Sequence, residues 1–179
     1  MVDFELHSIE PIFAGHVFSV ERRHLSADSI PFDREIVTHP GAVAVVAVDE
    51  LGRVVLLEQY RSSLGIRLLE IPAGTCDVKG EELAETAARE LAEETGLLAD
   101  RLAPLGRFLN SPGYCDQQTE LFMATGLTDI APRPSGPEEV DATVRRLPLD
   151  QAIEMVLAGD IVDGTTAFGL MLLARRTGA

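Results

Sequence analysis

Residues 81–95 carry the sequence's most suggestive chemistry, because two of their carboxylates fall where a helix should be apolar. The segment reads as an amphipathic helix closed by Gly96, with Leu83, Ala87 and Leu91 recurring as its inward stripe. At roughly 100° per residue, Glu90 and Glu94 land within about 20° of Leu83, on that stripe. Glu81, Glu82 and Glu85 point away from it, and Arg89 and Glu93 sit on its flank. Two carboxylates one turn apart on an inward face are costly unless a cation joins them. A hard divalent ion such as Mg²⁺ accepts carboxylate oxygens and keeps water and phosphate oxygens as its other ligands. Glu90 and Glu94 are therefore candidate metal ligands. The alternative is that both emerge at a sheet edge and stay wet. Arg89 precedes Glu93 by one turn, a spacing that allows an ion pair.

A helix can present carboxylates only if other elements hold it, and the flanking sequence supplies them. Residues 42–48 form a continuous apolar run typical of a strand buried on both faces, the expected centre of a sheet. A turn at 49–52 and a second strand at 53–60 complete an expected hairpin. Upstream, residues 12–20 and 34–38 read as short strands of a β-rich arm spanning 1–40, with Pro31, Phe32 and Asp33 as a turn. Downstream, strands are expected at 102–109, 119–124 and 144–147. Between the last two, Pro132, Pro134 and Pro137 should hold residues 128–141 extended. Asp150 is the expected N-cap of a helix ending before Gly159, and a last helix spans about 166–176 with Arg175 and Arg176 at its negative end. Strands with helices interspersed point to a layered α/β domain.

Composition narrows the partners. With 179 residues, 46% hydrophobic and 25% charged, one globular domain is expected. Acidic residues outnumber basic ones 29 to 15, which disfavours nucleic acid but not a metal-loaded site for a small phosphate ligand. No run approaches the roughly 18 apolar residues of a membrane span. Asp3 and Glu5 stand where a secretory leader would be basic, and Cys76 and Cys115 show no C-x-x-C spacing, so a cytoplasmic setting is expected. H-E-x-x-H, G-x-S-x-G and the P-loop pattern are absent, which leaves no competing motif for zinc proteolysis, serine hydrolysis or P-loop chemistry.

Gly74, Glu81, Arg89-Glu90-Leu91, Glu93-Glu94 and Gly96-Leu97 together resemble the Nudix box, G-x5-E-x7-R-E-U-x-E-E-x-G-U with U aliphatic. One departure is visible: six residues, 75–80, separate Gly74 from Glu81 instead of five, in the loop before the helix. The resemblance implies an α/β/α sandwich with a mixed sheet and hydrolysis of a nucleoside diphosphate linked to another moiety. It implies Glu90, Glu94 and Glu93 as ligands of Mg²⁺ or Mn²⁺, with the carbonyl oxygen of Ala73 completing the site. Arg89 joins the catalytic set as structural support of the carboxylates. Glu81 ranks below the others, because the wheel directs it outward.

The flanks resemble the ADP-ribose pyrophosphatases of that family. Ser111-Pro112-Gly113-Tyr114 lies at the matching distance, with Pro112 sixteen residues after Gly96; residues 39–43, 58–61 and 69–74 also match. The implied reaction converts ADP-ribose to AMP and ribose 5-phosphate. Alternatives are a pyrophosphatase for another nucleoside diphosphate sugar, or a non-catalytic module that binds ADP-ribose. Arg61 is the candidate to grip a phosphate or the terminal ribose, or else a surface arginine at a strand end. Glu70 binds substrate hydroxyls, supports the metal site or is structural. Pro112 and Gly113 belong to the implied substrate loop, and Tyr114 either stacks on a base or anchors that loop. Gln117 stands where relatives often place an acid, which leaves the ribose contacts open. Glu138 and Glu139 are alternative bases for the attacking water, or solvated loop acids. The resemblance also implies a homodimer in which the arm crosses to the partner, against the alternative that it folds back on its own subunit.

Overall fold

A computed structural model of the chain describes residues 1–131 and 136–178. In order, the elements are β1 (Phe4–Ala14), β2 (Ser19–Ala27), β3 (Ile30–Thr38), β4 (Ala42–Ala47), β5 (Arg53–Arg61), β6 (Ile66–Glu70) and β7 (Ala73–Thr75). Helix α1 (Leu83–Thr95) follows, then β8 (Leu97–Leu109), β9 (Gln118–Asp129), α2 (Pro137–Val140), β10 (Thr143–Pro148), α3 (Leu149–Ala158) and α4 (Gly164–Thr177).

The arm is a three-stranded antiparallel sheet in the order β1-β2-β3. Its second turn is set by Asp28 and Ser29, whose φ angles of 46° and 69° suit a two-residue hairpin loop. Pro31, Phe32 and Asp33, expected as a turn, therefore run within β3. The expected strand at 12–20 is likewise broken, because Gly15 to Phe18 turn the chain between β1 and β2, with the Gly15 amide on the Phe18 carbonyl. One row of this sheet is charged, with Arg22 bridging Glu10 and Glu35. Another is apolar, with Leu6 opposite Leu25 and Leu25 opposite Phe32. β1 is exposed along its whole length.

The rest of the chain forms the layered domain. Its four-stranded sheet runs β7-β4-β9-β8, with β4 parallel to β9 and the other pairs antiparallel, so it is mixed. Val43 to Ala47 of β4 are fully buried, as their uninterrupted apolar character requires. Because side chains alternate along a strand, β4 feeds both cores. Ala44 and Val46 pack with Ala152 of α3 and with Leu170 and Leu173 of α4, whereas Val43 and Val45 pack with Ala87 and Leu91 of α1. Helices thus cover both faces in an α/β/α arrangement. Each fully buried Val or Leu here stabilises the fold by about 1.5–3 kcal/mol relative to exposure.

Several boundaries differ from expectation for physical reasons. β4 and β5 are not one hairpin: β5 pairs with β6 and β10 in a separate antiparallel sheet, and a Val48–Val54 bridge joins β5 to the end of β4. β8 and β9 are longer than expected, beginning at Leu97 and continuing to Asp129, because their antiparallel pairing runs on from Leu109 opposite Gln118 to Leu97 opposite Asp129, with one register shift near Pro104 and Gly106. Pro137 does not extend the chain but opens the short helix α2, where its fixed φ is pre-organised. Pro132 and Pro134 lie outside the described residues. Asp150 sits in the first turn of α3, whose N-cap position is Pro148, and α4 begins at Gly164 with Asp163 as its cap. No helix among the described residues is long and apolar enough to cross a membrane.

Candidate active site

The box helix starts two residues later than its pattern suggests. Glu82 is the N-cap and shares a capping box with Glu85. Glu81 is thereby released from helical geometry and turns inward, contrary to the wheel. Its carboxylate accepts from Arg89 Nε at 3.1 Å and Nη2 at 3.1 Å, and from the Thr86 hydroxyl at 2.8 Å. Leu83, expected on the buried stripe, is 41% exposed, and the buried residues are Thr86, Ala87, Leu91 and Thr95. Arg89 also donates through Nη1 to Glu90 at 2.7 Å and Glu93 at 3.1 Å. One guanidinium thus gathers three glutamates, which raises its own proton affinity, first through Glu81, and holds Glu81 below the usual carboxylate range.

Glu94 and Glu90 reach under β7. Glu94 accepts the Ala73 amide at 3.0 Å. Burial pushes its carboxyl up to about 8; the Ala73 amide opposes this, and the charges of Glu90 and Glu139 add to it. Burial also raises Glu90, against the pull of Arg89. Gly74 makes room for this packing: a Cβ there would lie 1.9 Å from Glu90 Cδ. Since Gly74 is not among the glycines with positive φ, space and not backbone conformation requires it.

These side chains line a pocket with Asp77, Glu138 and Glu139, so six acids face two bases, Arg61 and Arg89, among its described residues. Every acidic donor is a hard oxygen and the charge excess is negative, a set that fits a divalent cation such as Mg²⁺ or Mn²⁺. Among the described residues, no three His, Cys, Asp or Glu side chains already converge as an ion cage. Arg89 draws Glu90 and Glu93 to itself, and the Ala73 amide holds Glu94. Ala73 joins the acidic cluster through its amide, a contact that leaves its carbonyl oxygen, the expected ligand of the ion, untouched.

An adjoining pocket shares Arg61, Ala73, Gly74 and Thr75 with the first and is otherwise lined by Glu70, Asn110, Gln117, Thr119, Asp163 and their neighbours. Arg61 is no loose surface arginine. Its guanidinium donates twice to buried Glu70, from Nε at 2.8 Å and Nη2 at 2.5 Å, and Gln59 donates to the same carboxylate at 3.3 Å. The bidentate pair fixes the plane of Arg61 at the junction of the two pockets.

Pro112, Gly113 and Tyr114 are exposed and line neither pocket. Their loop instead docks on the arm: the Val37 amide donates to the Tyr114 carbonyl at 2.8 Å, and the His39 amide to Asp116 at 2.9 Å. Of the two late acids, Glu138 is exposed and Glu139 half-buried, and both line the acidic pocket. Gln59, Asn110, Thr119 and Asp163 were not expected at the site. Only Asp163 carries a local signal, an Asp three residues before Thr166 at a helix start.

Comparison with known proteins agrees with this geometry. The NUDIX domain family model matches residues 38–164. An ADP-ribose pyrophosphatase of Mycobacterium tuberculosis is 38% identical over 170 residues, covering 94% of this chain and 82% of that protein. An ADP-ribose pyrophosphatase of Bacillus subtilis is 36% identical over 165 residues, covering 92% and 89%. The crystal structure of an ADP compounds hydrolase superposes with a TM-score of 0.83 over 98% of this chain and 94% of that one, at 22% identity, a likeness of fold. The box glycine that makes room for Glu90, the arginine that gathers three glutamates and the family match over 38–164 lead to one conclusion: the chain belongs to the Nudix family.

Proposed function

We propose that the chain is a divalent-metal-dependent pyrophosphatase that hydrolyses ADP-ribose to AMP and ribose 5-phosphate, with Mg²⁺ or Mn²⁺ as its ion. The observation that carries this reading is the pair of joined pockets, one strongly acidic and one of mixed polar lining, with Arg61 at their junction. The acidic pocket measures about 330 Å³ and the other about 220 Å³, at or below the lower end for a drug-sized ligand, so a pyrophosphate with a sugar on either side would span both. Relatives named for ADP-ribose hydrolysis support the choice of substrate.

Glu90, Glu93 and Glu94 would hold the ion, and Arg89 keeps the first two oriented. When bound, such an ion neutralises phosphate charge and makes water more acidic. Glu139 takes the proton of the attacking water. It is the better placed of the two late acids, because it is half-buried and its charge already bears on Glu90 and Glu94. The water oxygen bonds to one phosphorus as the bridging P–O bond breaks, and the second phosphate leaves on its sugar. Arg61 grips phosphate or ribose oxygens while Glu70 holds its plane. The neutral amides of Asn110 and Gln117 suit sugar hydroxyls in general, which makes a related nucleoside diphosphate sugar the second reading. Incubation with ADP-ribose and Mg²⁺ should release AMP and ribose 5-phosphate in equal amounts. Much faster turnover of other nucleotide sugars would replace the first reading by the second.

The arm extends the proposal to a homodimer. Phe4, Leu6, Ile9 and Ile30 are exposed on a sheet too thin to enclose a core, and a two-fold axis would bury them. Light scattering should give twice the chain mass, and removal of residues 1–38 should give a monomer with weakened ADP-ribose affinity. A monomeric intact protein would refute the dimer, and a dimeric truncated one the role of the arm.

A further inference from the structure

The chain passes from its antiparallel sheet to its mixed sheet through residues 70–73, and side chains hold this crossing. Pro72 has no amide to give. The Ala73 amide goes to Glu94 at 3.0 Å, and the Ile71 amide goes to the Thr166 hydroxyl at 2.9 Å. Thr166 is fully buried and lines neither pocket. Since an amide can only donate, the Thr166 hydroxyl must spend its own proton elsewhere, and it donates to Asp163 at 2.7 Å. The same Asp163 oxygen caps α4 through the Thr166 amide at 2.7 Å. Further along α4, a Cβ on Gly169 would lie 2.9 Å from Val46 and 3.1 Å from Ile71, so the helix is seated against the crossing at a second point.

We infer that Thr166, oriented by Asp163, is a positioning residue that sets this crossing so that Glu70 meets Arg61 on one side and the Ala73 amide meets Glu94 on the other. The inference rests on the proposed metal-dependent reading of the pocket, but its structural half does not. Thr166 touches no reacting group, so its effect passes through two neighbours at once, the arginine clamp and the carboxylate hook. Thr166→Val keeps the shape and removes the hydroxyl, leaving the Ile71 amide buried without an acceptor.

Amide hydrogen exchange on the labelled intact chain reads the first consequence: Ile71 should exchange about tenfold faster or more in Thr166→Val, with Val55 and Leu91, whose amides do not bond the crossing, unchanged. Titration with Mn²⁺ alone should show about tenfold weaker binding, and with ADP-ribose kcat should fall more than KM rises. Thr166→Ser, which keeps the hydroxyl, should restore all three. Parental Ile71 exchange or parental Mn²⁺ binding in Thr166→Val overturns the inference. So does a Thr166→Ser protein with weakened Mn²⁺ binding, which would assign the effect to the lost methyl and decides the question even if Thr166→Val does not fold. Failure of the intact protein to cleave ADP-ribose would refute the proposed function, while Ile71 exchange would still judge the positioning role.

Discussion

Replacing Glu94 with Gln is expected to lower ADP-ribose turnover by about a hundredfold or more, while making the metal-free protein more stable at alkaline pH. The two effects share one cause. Glu94 is a buried carboxyl whose proton affinity rises from the ordinary 4.5 to about 8 on folding, mainly through burial. The folded chain therefore binds more protons than the unfolded one between those values. The stability that protonated Glu94 contributes is fully present below pH 4.5 and is lost as pH rises through about 8. In chelator, the parent protein should lose on the order of a few kcal/mol across this window. Glutamine has no charge to bury and can still accept the Ala73 amide, so its pH slope should be nearly flat. A divalent ion should oppose the parental loss, because it binds the form that the proton leaves. Urea midpoints from pH 5 to 9, with chelator and with Mg²⁺, check the stability arm. Parental turnover in the variant would remove Glu94 from the proposed ion site, and a flat metal-free profile in the parent would refute its raised proton affinity.

Glu94 was legible in the sequence because the helical period alone places it inward, whatever the helix packs against. The same period misplaced Glu81 and Leu83. Both errors have a local origin: the helix begins after Glu82, so a wheel carried back to residue 81 assigns helical geometry to a residue that lacks it, and Leu83, the first helical residue, stays exposed at the helix end. Glutamate is also a poor N-cap by residue type, and the capping box that fixes this start needs the Glu82 and Glu85 side chains seen in place.

Pairing between distant strands was less legible still. Residues 42–48 declare a buried strand but not its neighbours, and the parallel partner β9 begins about seventy residues later. The apparent hairpin of β4 and β5 failed for this reason, since a turn fixes only chain reversal and each strand then joined the sheet its long-range partners offered. In the arm, Pro31 drew attention to a turn that Asp28 and Ser29 supply, because proline is tolerated on an edge strand such as β3. The same limit hid Gln59, Asn110 and Thr119, polar residues within strands or just beside them, whose membership in the site depends on which strands meet. The Arg61–Glu70 pair falls between these cases. Both residues were visible as candidates, but their mutual clamp appears only once β5 and β6 are paired.

Gly74→Ala is expected to abolish most activity while leaving the fold nearly intact, a separation that follows from what the new methyl group meets. It would lie 1.9 Å from the carboxyl carbon of Glu90 and 2.2 Å from its Oε1, far inside contact distance. These atoms are the end of a flexible side chain, so the clash can be relieved by swinging Glu90 away without moving the backbone. The strand should tolerate the change, because Gly74 is not in the left-handed region and Ala is a better strand residue than Gly. The displaced carboxylate, however, leaves both Arg89 and the proposed ion. Arg89 would keep Glu81 and Glu93, so the cluster loses one oxygen donor without collapsing. Turnover should fall by about a hundredfold or more, with the melting temperature shifted by only a few degrees. Mn²⁺ binding should weaken in parallel, which separates a lost ligand from a blocked pocket. Full activity with normal Mn²⁺ affinity in Gly74→Ala would mean that the position of Glu90 beneath this glycine has no part in the chemistry.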